Sequence, residues 1–183
     1  MKYHDKYRIP STRLPAWDYG WNAAYFVTLC TKGRICYFGD VIAGNMELSD
    51  IGKIANDCWK DIPIHFPFVT LDAYVVMPNH VHGIIIIDKP EKSSVVVETQ
   101  NLASLPSEPT QNKFGPQSKN LGSIIRGFKI GVTKNARLIN PDFTWQARYF
   151  DHIIRNEKSW QNISGYIFNN PAKWQNDEYF LKG

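Results

Sequence analysis

The amino-acid sequence predicts an α+β fold of the ferredoxin-like type, a split β-α-β sandwich in which helices pack on a face of one central antiparallel sheet. Two observations lead to this class. Strand-like runs rich in β-branched and aromatic residues alternate with amphipathic helical segments, and the elements follow the order β, α, β-hairpin, α, β, α. The 183 residues are enough for a single domain with a substantial core, so one domain over 1–183 is expected.

The first strand and the first helix are predicted after an extended arm over 1–22. The run AYFVTLCT, from Ala24 to Thr31, has the composition of a strand. In LSDIGKIANDCWKDI, from Leu48 to Ile62, apolar residues recur at helical spacing, and Ser49 or Asp50 is placed to cap the helix. The apolar stripe of this helix consists of Ile51, Ile54, Ala55, Cys58, Trp59 and Ile62.

A β-hairpin is predicted next. The runs VTLDAYVVM, from Val69 to Met77, and HVHGIIII, from His80 to Ile87, are strand-like. They are separated by Pro78 and Asn79, a pair suited to the central positions of a tight turn. The hairpin therefore places two histidines just past its turn.

A change of composition separates this hairpin from the rest of the chain. Residues 89–118 are rich in Ser, Pro, Gln, Glu and Lys, which predicts a surface excursion or a partly disordered insertion, because such a segment cannot bury enough apolar area to offset the entropy of ordering. The remainder predicts a helix over Leu121–Leu138, a strand over Phe143–Arg155 and a terminal helix that begins near Asn156 and ends at Pro171.

Both of these helices are amphipathic. The first is also cationic, although Gly127 and Gly131 weaken its intrinsic propensity. Its apolar face consists of Leu121, Ile124, Ile125, Phe128, Val132 and Ala136. The apolar side of the terminal helix consists of Trp160, Ile163 and Ile167.

The distribution of charge favours a polyanionic partner. The formal net charge is +4, and residues 119–137 include five basic residues and no acidic one. The first thirteen residues hold four basic residues against Asp5 alone. Segments of one sign suit a nucleic acid, but a solvated helix face that happens to be basic has the same composition.

Cysteine usage and the N-terminus indicate a cytoplasmic protein. The three cysteines have no C-x-x-C spacing, so neither a disulfide framework nor a zinc knuckle is predicted. The N-terminal sequence MKYHDKYR is polar and lacks the apolar region of a signal peptide, and no apolar run approaches ~18 residues. No association with a membrane is expected.

Two histidines stand one residue apart in the second strand of the hairpin. Because side chains at positions i and i+2 of a strand project to the same face, His80 and His82 point together while Val81 points away. Their Cα atoms are expected to lie roughly 6.5 Å apart, a separation from which both rings can reach one metal ion. Two imidazoles that only donate to backbone carbonyls or lie under a loop would give the same pattern.

The terminal helix carries a second polar pair. In GYIFNNP, Tyr166 and Asn170 are four residues apart and share one helical face, whereas Ile167 belongs to the buried stripe. Tyr166 is therefore at the edge of that stripe, where a tyrosine can be either a rim residue with a hydrated hydroxyl or a nucleophile. Asn170, directly before a proline, has the common composition of a helix end.

The motifs of the whole chain resemble a known family. Besides the histidine and tyrosine motifs, they include YFVTLCTK from Tyr25, LGSIIRGFK from Leu121 and WQARYFDHIIRN from Trp145. Together with LDAYVVMPNHVHG and YIFNNPAKW, these segments are similar to the REP-associated tyrosine transposases, relatives of the single-tyrosine HUH transposases that act on single-stranded DNA. The resemblance covers nearly the whole chain, and residues 89–118 are its variable part.

The resemblance implies a role for each polar residue of the two motifs. His80 and His82 are expected to bind a divalent cation, Mg²⁺ or Mn²⁺, and Asn170 is expected to complete the metal site. Tyr166 is expected to attack the scissile phosphate, which leaves a 5′-phosphotyrosine and a free 3′-hydroxyl. Such a protein cleaves and rejoins DNA near hairpin sequences without a nucleotide cofactor, and it acts in the bacterial cytoplasm on the nucleoid.

The implied partner is single-stranded or hairpin DNA, bound by a monomer or a homodimer. Candidate contacts to the DNA backbone are Arg8, Arg13, Lys119, Arg126 and Lys129. A domesticated hairpin-binding protein with little or no catalysis is the alternative. Two other metal-dependent hydrolases fit less well: the chain is short for an amidohydrolase barrel, and a histidine-triad hydrolase needs a third alternating histidine where Ile84 stands.

Overall fold

The computed structural model describes residues 17–90 and 118–180, together with the backbone of two short paired strands, β1 (Lys2–Tyr3) and β2 (Lys6–Tyr7). Most of the predicted arm over 1–22 and of the predicted insertion over 89–118 lies outside the described residues. Within the described ranges, no helix is long and apolar enough to cross a membrane.

The central feature is a four-stranded antiparallel sheet. It is formed by β3 (Ala23–Cys30), β6 (Val69–Met77), β7 (His80–Ile87) and β8 (Phe150–Ile154), which lie side by side in the order β6-β7-β3-β8. Strand β3, which comes first of these four along the chain, thus lies between β7 and β8, as in the split β-α-β arrangement. The predicted fold class and the predicted hairpin are confirmed.

Two helices cover one face of this sheet. Helix α1 (Asp50–Lys60) begins at Ser49, whose Oγ accepts a hydrogen bond from the Gly52 amide, and α3 (Leu121–Ala136) begins at Asn120 with a reciprocal capping box. All six apolar residues predicted for α3 are buried. Gly127 and Gly131 of α3 lie against Phe66 and Cys58, so they also allow close packing of the neighbouring segments.

Helix α4 (Glu157–Asn169) packs on the opposite face of the sheet, so the prediction that the helices share one face is wrong for α4. Ile167 of α4 is buried in a second apolar cluster with Phe26, Ala73, Ile84 and Ile154. The reason lies in the strands, because the HVHGIIII strand has apolar residues at both alternating positions and is buried on both faces.

Two further differences concern short elements. The segment predicted as a strand over Phe143–Arg155 is extended only from Phe150 onward; Trp145 makes a single bridge to Thr31, and Arg148 has a φ of 68°, which interrupts an extended backbone. The structure also contains an unpredicted hairpin, β4 (Gly39–Ile42) and β5 (Asn45–Leu48).

The remaining helical segments are short, with one or two turns each. Helix α2 (Ile62–His65) follows α1, and 3-10 helices occupy Lys32–Arg34 and Pro171–Asn176. The last of these follows α4 directly and carries the chain back toward the turn between β6 and β7, where Tyr179 meets Asn79.

Candidate metal and tyrosine site

The two histidines of β7 lie on the face of the sheet that α4 covers. Both side chains are almost completely buried, and their ring centroids are 4.4 Å apart. The intervening Val81 is part of the core on the other face. The alternation of β7 therefore delivers two adjacent imidazoles to one site, as the sequence predicts.

Asn79 fixes the orientation of the His80 ring. Its Nδ2 donates to the backbone oxygens of Arg34 at 3.0 Å and Tyr179 at 2.9 Å, so the amide oxygen is the atom that lies 2.8 Å from His80 Nδ1. An oxygen can only accept here, and Nδ1 of His80 must carry the proton. Nε2 of His80 then holds a lone pair, and it is buried without a hydrogen-bond partner.

His82 lies between a threonine and the tyrosine of α4. Its Nδ1 is 2.9 Å from Oγ1 of Thr28 on the neighbouring strand, and its Nε2 is 3.1 Å from the hydroxyl of Tyr166. The ring also stacks on Phe26 at a centroid distance of 5.4 Å. The phenol oxygen and the His82 imidazole are thus already in contact across the interface between helix and sheet.

The final turn of α4 brings Tyr166 and Asn170 to the same place, as their spacing predicts. Tyr166 is 41% exposed at the mouth of the site, whereas Asn170 is 2% exposed. Nδ2 of Asn170 donates to Oδ2 of Asp177 at 2.9 Å, and its Oδ1 is buried without a partner. The unpartnered buried oxygen of Asn170 and the unpartnered nitrogen of His80 each have a lone pair available to a cation.

Asp177 is a site residue that the sequence reasoning missed. It follows the 3-10 helix after α4, and one of its carboxylate oxygens, with one nitrogen from each of His80 and His82, forms a group whose atoms all lie within 4.8 Å of one another. Ligands about 2.1 Å from one ion can be at most about 4.2 Å apart, so a small contraction would complete a site. This group can hold a metal ion, and its mixed nitrogen and oxygen donors suit a divalent cation.

Burial keeps both imidazoles neutral. Desolvation, followed by the charge of Arg34, lowers the pKa of His80 to about 3, and desolvation also places the pKa of His82 well below its ordinary value. Burial raises the pKa of Tyr166 to about 12, with smaller contributions from the charges of Asp177 and Glu178. The site thus offers neutral nitrogen lone pairs, while the phenol needs a nearby positive charge to ionise.

An open cavity of about 440 Å³ is lined by His82, Tyr166, Asn170 and Asp177 of this site. Carboxylates stand at one end of it, on Asp177 and Glu178, and the apolar ring of Phe150 stands in its wall. Tyr179 also faces the cavity, and its ring lies 4.6 Å from that of His80. The volume is that of a pocket for a small molecule or for one residue of a polymer.

The residues predicted to contact DNA lie apart from this cavity or outside the described ranges. Arg8 and Arg13 are among the residues that the structure does not describe. Lys119 is exposed just before α3, and Arg126 is exposed on α3, which covers the other face of the sheet. Lys129 donates from Nζ to two backbone oxygens of the segment before β8, at 2.9 and 2.7 Å.

A second groove, between α3 and the segment before β8, gathers the basic residues of the helix. Its charged lining residues are all cationic: Arg126, Lys129, Lys134, Arg137 and Arg148. Burial lowers the pKa of Lys129 to about 8, which fits its position beneath the surface of the groove. The positive segment recognised in the sequence therefore forms one wall of a continuous concave surface.

Sequence comparison finds two relatives in Haemophilus influenzae. One is named only "Uncharacterized protein" and is 42% identical over 173 residues, which are 93% of this chain and 92% of that protein. The other is named "Putative REP-associated tyrosine transposase" and is 25% identical over 149 residues, which are 78% of this chain and 73% of that protein. No protein-family model matches the chain.

Structure comparison finds the same fold in a REP-associated tyrosine transposase that was solved bound to a REP hairpin. The TM-score is 0.56 with 20% sequence identity, and the match covers 95% of this chain and 74% of that one. This chain therefore has the fold of a transposase of this kind, and its histidines and tyrosine meet on one face of the shared sheet. In sequence the chain is also similar to the putative REP-associated tyrosine transposase, so the resemblance indicated by its motifs is confirmed.

Proposed function

We propose that this protein is a metal-dependent enzyme that cleaves and rejoins single-stranded DNA next to hairpin sequences through a covalent phosphotyrosine. The observation that carries the proposal is the meeting of Tyr166 and His82, 3.1 Å apart, beside two buried lone pairs without partners, on His80 and Asn170. The similarity to REP-associated tyrosine transposases supports the same function.

The metal would be held by His80 and His82, with Asp177 and Asn170 as the available oxygen donors. When bound, a divalent cation would neutralise charge on the scissile phosphate and would favour ionisation of the nearby Tyr166 phenol. The donors are fixed in advance, because Asn79 and Thr28 hold the two imidazoles. Such preorganisation limits the reorganisation needed when substrate binds.

The nucleophile is Tyr166. Its phenol oxygen forms a bond to phosphorus, the bond from phosphorus to the 3′ oxygen breaks, and that oxygen leaves as a hydroxyl after it takes up a proton. The phenol proton is lost to solvent in the same step, because His82, whose Nε2 lies next to the phenol, would be a ligand of the cation. The number of phosphodiester-type bonds is conserved, so a 3′-hydroxyl can attack the phosphotyrosine and reseal the strand.

The basic groove along α3 is proposed to hold the duplex part of the hairpin. Five cationic lining residues and no carboxylate among them give an electrostatic surface suited to a phosphate backbone. The groove lies across the β8 edge of the sheet from the tyrosine cavity, since Arg148 and Tyr149 line the groove and the next residue, Phe150, lines the cavity.

The test is incubation of the protein with a labelled library of single-stranded hairpins and Mn²⁺ or Mg²⁺, followed by a denaturing gel. We expect a covalent protein–DNA band that requires the cation and is absent from Tyr166→Phe. Tyr179→Phe tests the other phenol in the cavity, and Tyr74→Phe removes a phenol that bonds Asn56 of α1, on the opposite face. Both should retain the band. Hairpin binding without any adduct would instead support the binding-only alternative.

A further inference from the structure

Phe150 is an aromatic residue that remains exposed to solvent instead of packing in the core. Its side chain is 52% exposed on β8, an edge strand of the sheet. Isolated exposed apolar residues are common, but this ring stands in the wall shared by two cavities. One is the cavity that contains Tyr166, and the other, of about 460 Å³, continues along the first half of α4.

The position of Phe150 relative to the reactive groups is fixed by the sheet. Phe150 pairs with Thr28 across β8 and β3, and Thr28 pairs with His82 across β3 and β7. The three side chains form one cross-strand row on the same face, which puts Phe150 about 10 Å from His82, or two strand spacings. Phe26 contacts both the Phe150 ring and the Tyr166 ring edge-on, each at 6.2 Å.

The second cavity has the chemistry of a surface for a nucleic-acid strand. Apart from Phe26, Phe150 and Ile163, its lining side chains are polar or cationic: His152, Asn156, Lys158, Ser159 and Asn162. None of these lining residues is a carboxylate, whereas Asp177 and Glu178 line the other end of the tyrosine cavity. The second cavity therefore offers a chain of phosphates polar and cationic contacts, with no carboxylate in its lining.

We infer that the groove between β8 and α4 binds the single-stranded nucleotides next to the reacting phosphate, and that one base stacks on the exposed face of Phe150. This inference rests on the proposed function, because it specifies where the substrate strand of that site lies. Stacking on an aromatic ring is available to every base, so Phe150 contributes affinity and placement rather than sequence selectivity.

The experiment measures binding separately from cleavage. A fluorescent DNA hairpin with an oligo-dT single-stranded extension, on either the 5′ or the 3′ side, is compared with the same hairpin without an extension. Affinities are measured by anisotropy in the Tyr166→Phe background, which cannot form a phosphotyrosine. Phe150→Ala and Phe150→Leu remove the ring, Phe150→Trp keeps an aromatic face, and Phe168→Ala removes a 71% exposed ring of α4 that lines neither cavity.

We expect Phe150→Ala and Phe150→Leu to weaken binding of one extended hairpin by roughly five- to 150-fold and to leave the hairpin without an extension unchanged. Phe150→Trp and Phe168→Ala should bind the extended hairpin like the parent. Equal binding by Phe150→Leu and the parent overturns the inference, and so does an equal loss for both DNAs. The two proposals can fail separately. If loss of the Phe150 ring weakens binding but the protein with Tyr166 intact forms no covalent adduct, this binding site is supported and the proposed cleavage is contradicted.

Discussion

Oδ1 of Asn79 accepts a hydrogen bond from Nδ1 of His80 across 2.8 Å, and this single contact determines which nitrogen of the imidazole faces the site. The amide cannot be turned over without loss of its two bonds to the backbone oxygens of Arg34 and Tyr179. A turn residue therefore selects the tautomer of its neighbour, as partners of metal-binding histidines commonly do.

The first prediction is that Asn79→Ala lowers the affinity for Mn²⁺ by about 10- to 100-fold, because the His80 ring loses the acceptor that holds it. The measurement is calorimetric or EPR titration of the protein with Mn²⁺. Asn56→Ala is the matched control, since it removes an amide that bonds only a phenol outside the site and a neighbouring carboxylate. An unchanged affinity in folded Asn79→Ala would show that the ring needs no external orientation.

The second prediction concerns the acidic donor. Asp177→Asn should weaken Mn²⁺ binding by at least about ten-fold, because it removes the one anionic member of the ligand group. Glu178→Gln, which neutralises the adjacent carboxylate, should change the affinity much less. Asn170→Ala is a less selective test, since Asn170 also holds Asp177 through a 2.9 Å bond. If Asp177→Asn binds Mn²⁺ normally, the negative charge of Asp177 is not needed for metal binding.

The third prediction concerns the basic groove. Arg126→Ala and Lys134→Ala should each weaken hairpin binding and lower the slope of log affinity against log salt by about 0.9, the value for one lost phosphate contact. Lys53→Ala on α1 is the control, because its ammonium is paired with Asp50 at 2.9 Å outside the groove. A salt slope that none of the groove variants alters would mean that the duplex is bound elsewhere.

The fourth prediction follows from the lowered pKa of Lys129. Burial reduces that pKa to about 8 from the ordinary value of 10.5, so between these values the unfolded chain binds a proton that the folded chain does not. Stability from this group therefore increases as the pH rises through that interval. The measurement is urea unfolding of wild type and Lys129→Met at about pH 7 and about pH 9.5. Relative to that of Lys129→Met, the free energy of unfolding of wild type should be higher at about pH 9.5 than at about pH 7.

The fifth prediction concerns Gly83, which follows His82 in β7. A Cβ at this position would lie 2.2 Å from the indole ring of Trp59, a fully buried residue of α1. Gly83→Ala should therefore lower the free energy of unfolding by about 1–3 kcal/mol. Gly165→Ala is the contrasting variant, because a Cβ there meets nothing within 4 Å and should add up to about 1 kcal/mol. The measurement is thermal or urea denaturation, and an unchanged free energy of unfolding for Gly83→Ala would contradict the prediction.

The sequence predicts the elements whose periodicity is strong. The strands of the hairpin, the buried stripes of α1 and α3, and the shared helical face of Tyr166 and Asn170 all follow from alternation or from helical spacing. The β4–β5 hairpin has four-residue strands joined at Ala43 and Gly44, both with positive φ, and this pattern is too short to stand out.

The residues that could not be predicted depend on the tertiary structure. Phe143 and Trp145 made their segment look like a strand, because aromatic residues are common in strands. In the structure they pack against the core from an irregular segment. Asp177 enters the site only because the 3-10 helix after α4 turns the chain back toward β7. No spacing along the sequence encodes such a return, so geometry was needed to find this donor.

The glycine beside His82 also bears on how the chain reaches its native pairing. If β7 slipped by one residue against its neighbours, both imidazoles would turn into the core and valine and glycine would turn toward α4. In that arrangement Trp59 would meet a side chain where it now meets none. The Trp59 indole therefore disfavours the shifted register. A chain that places the two histidines on the wrong face of the sheet also fails to pack its core around Trp59.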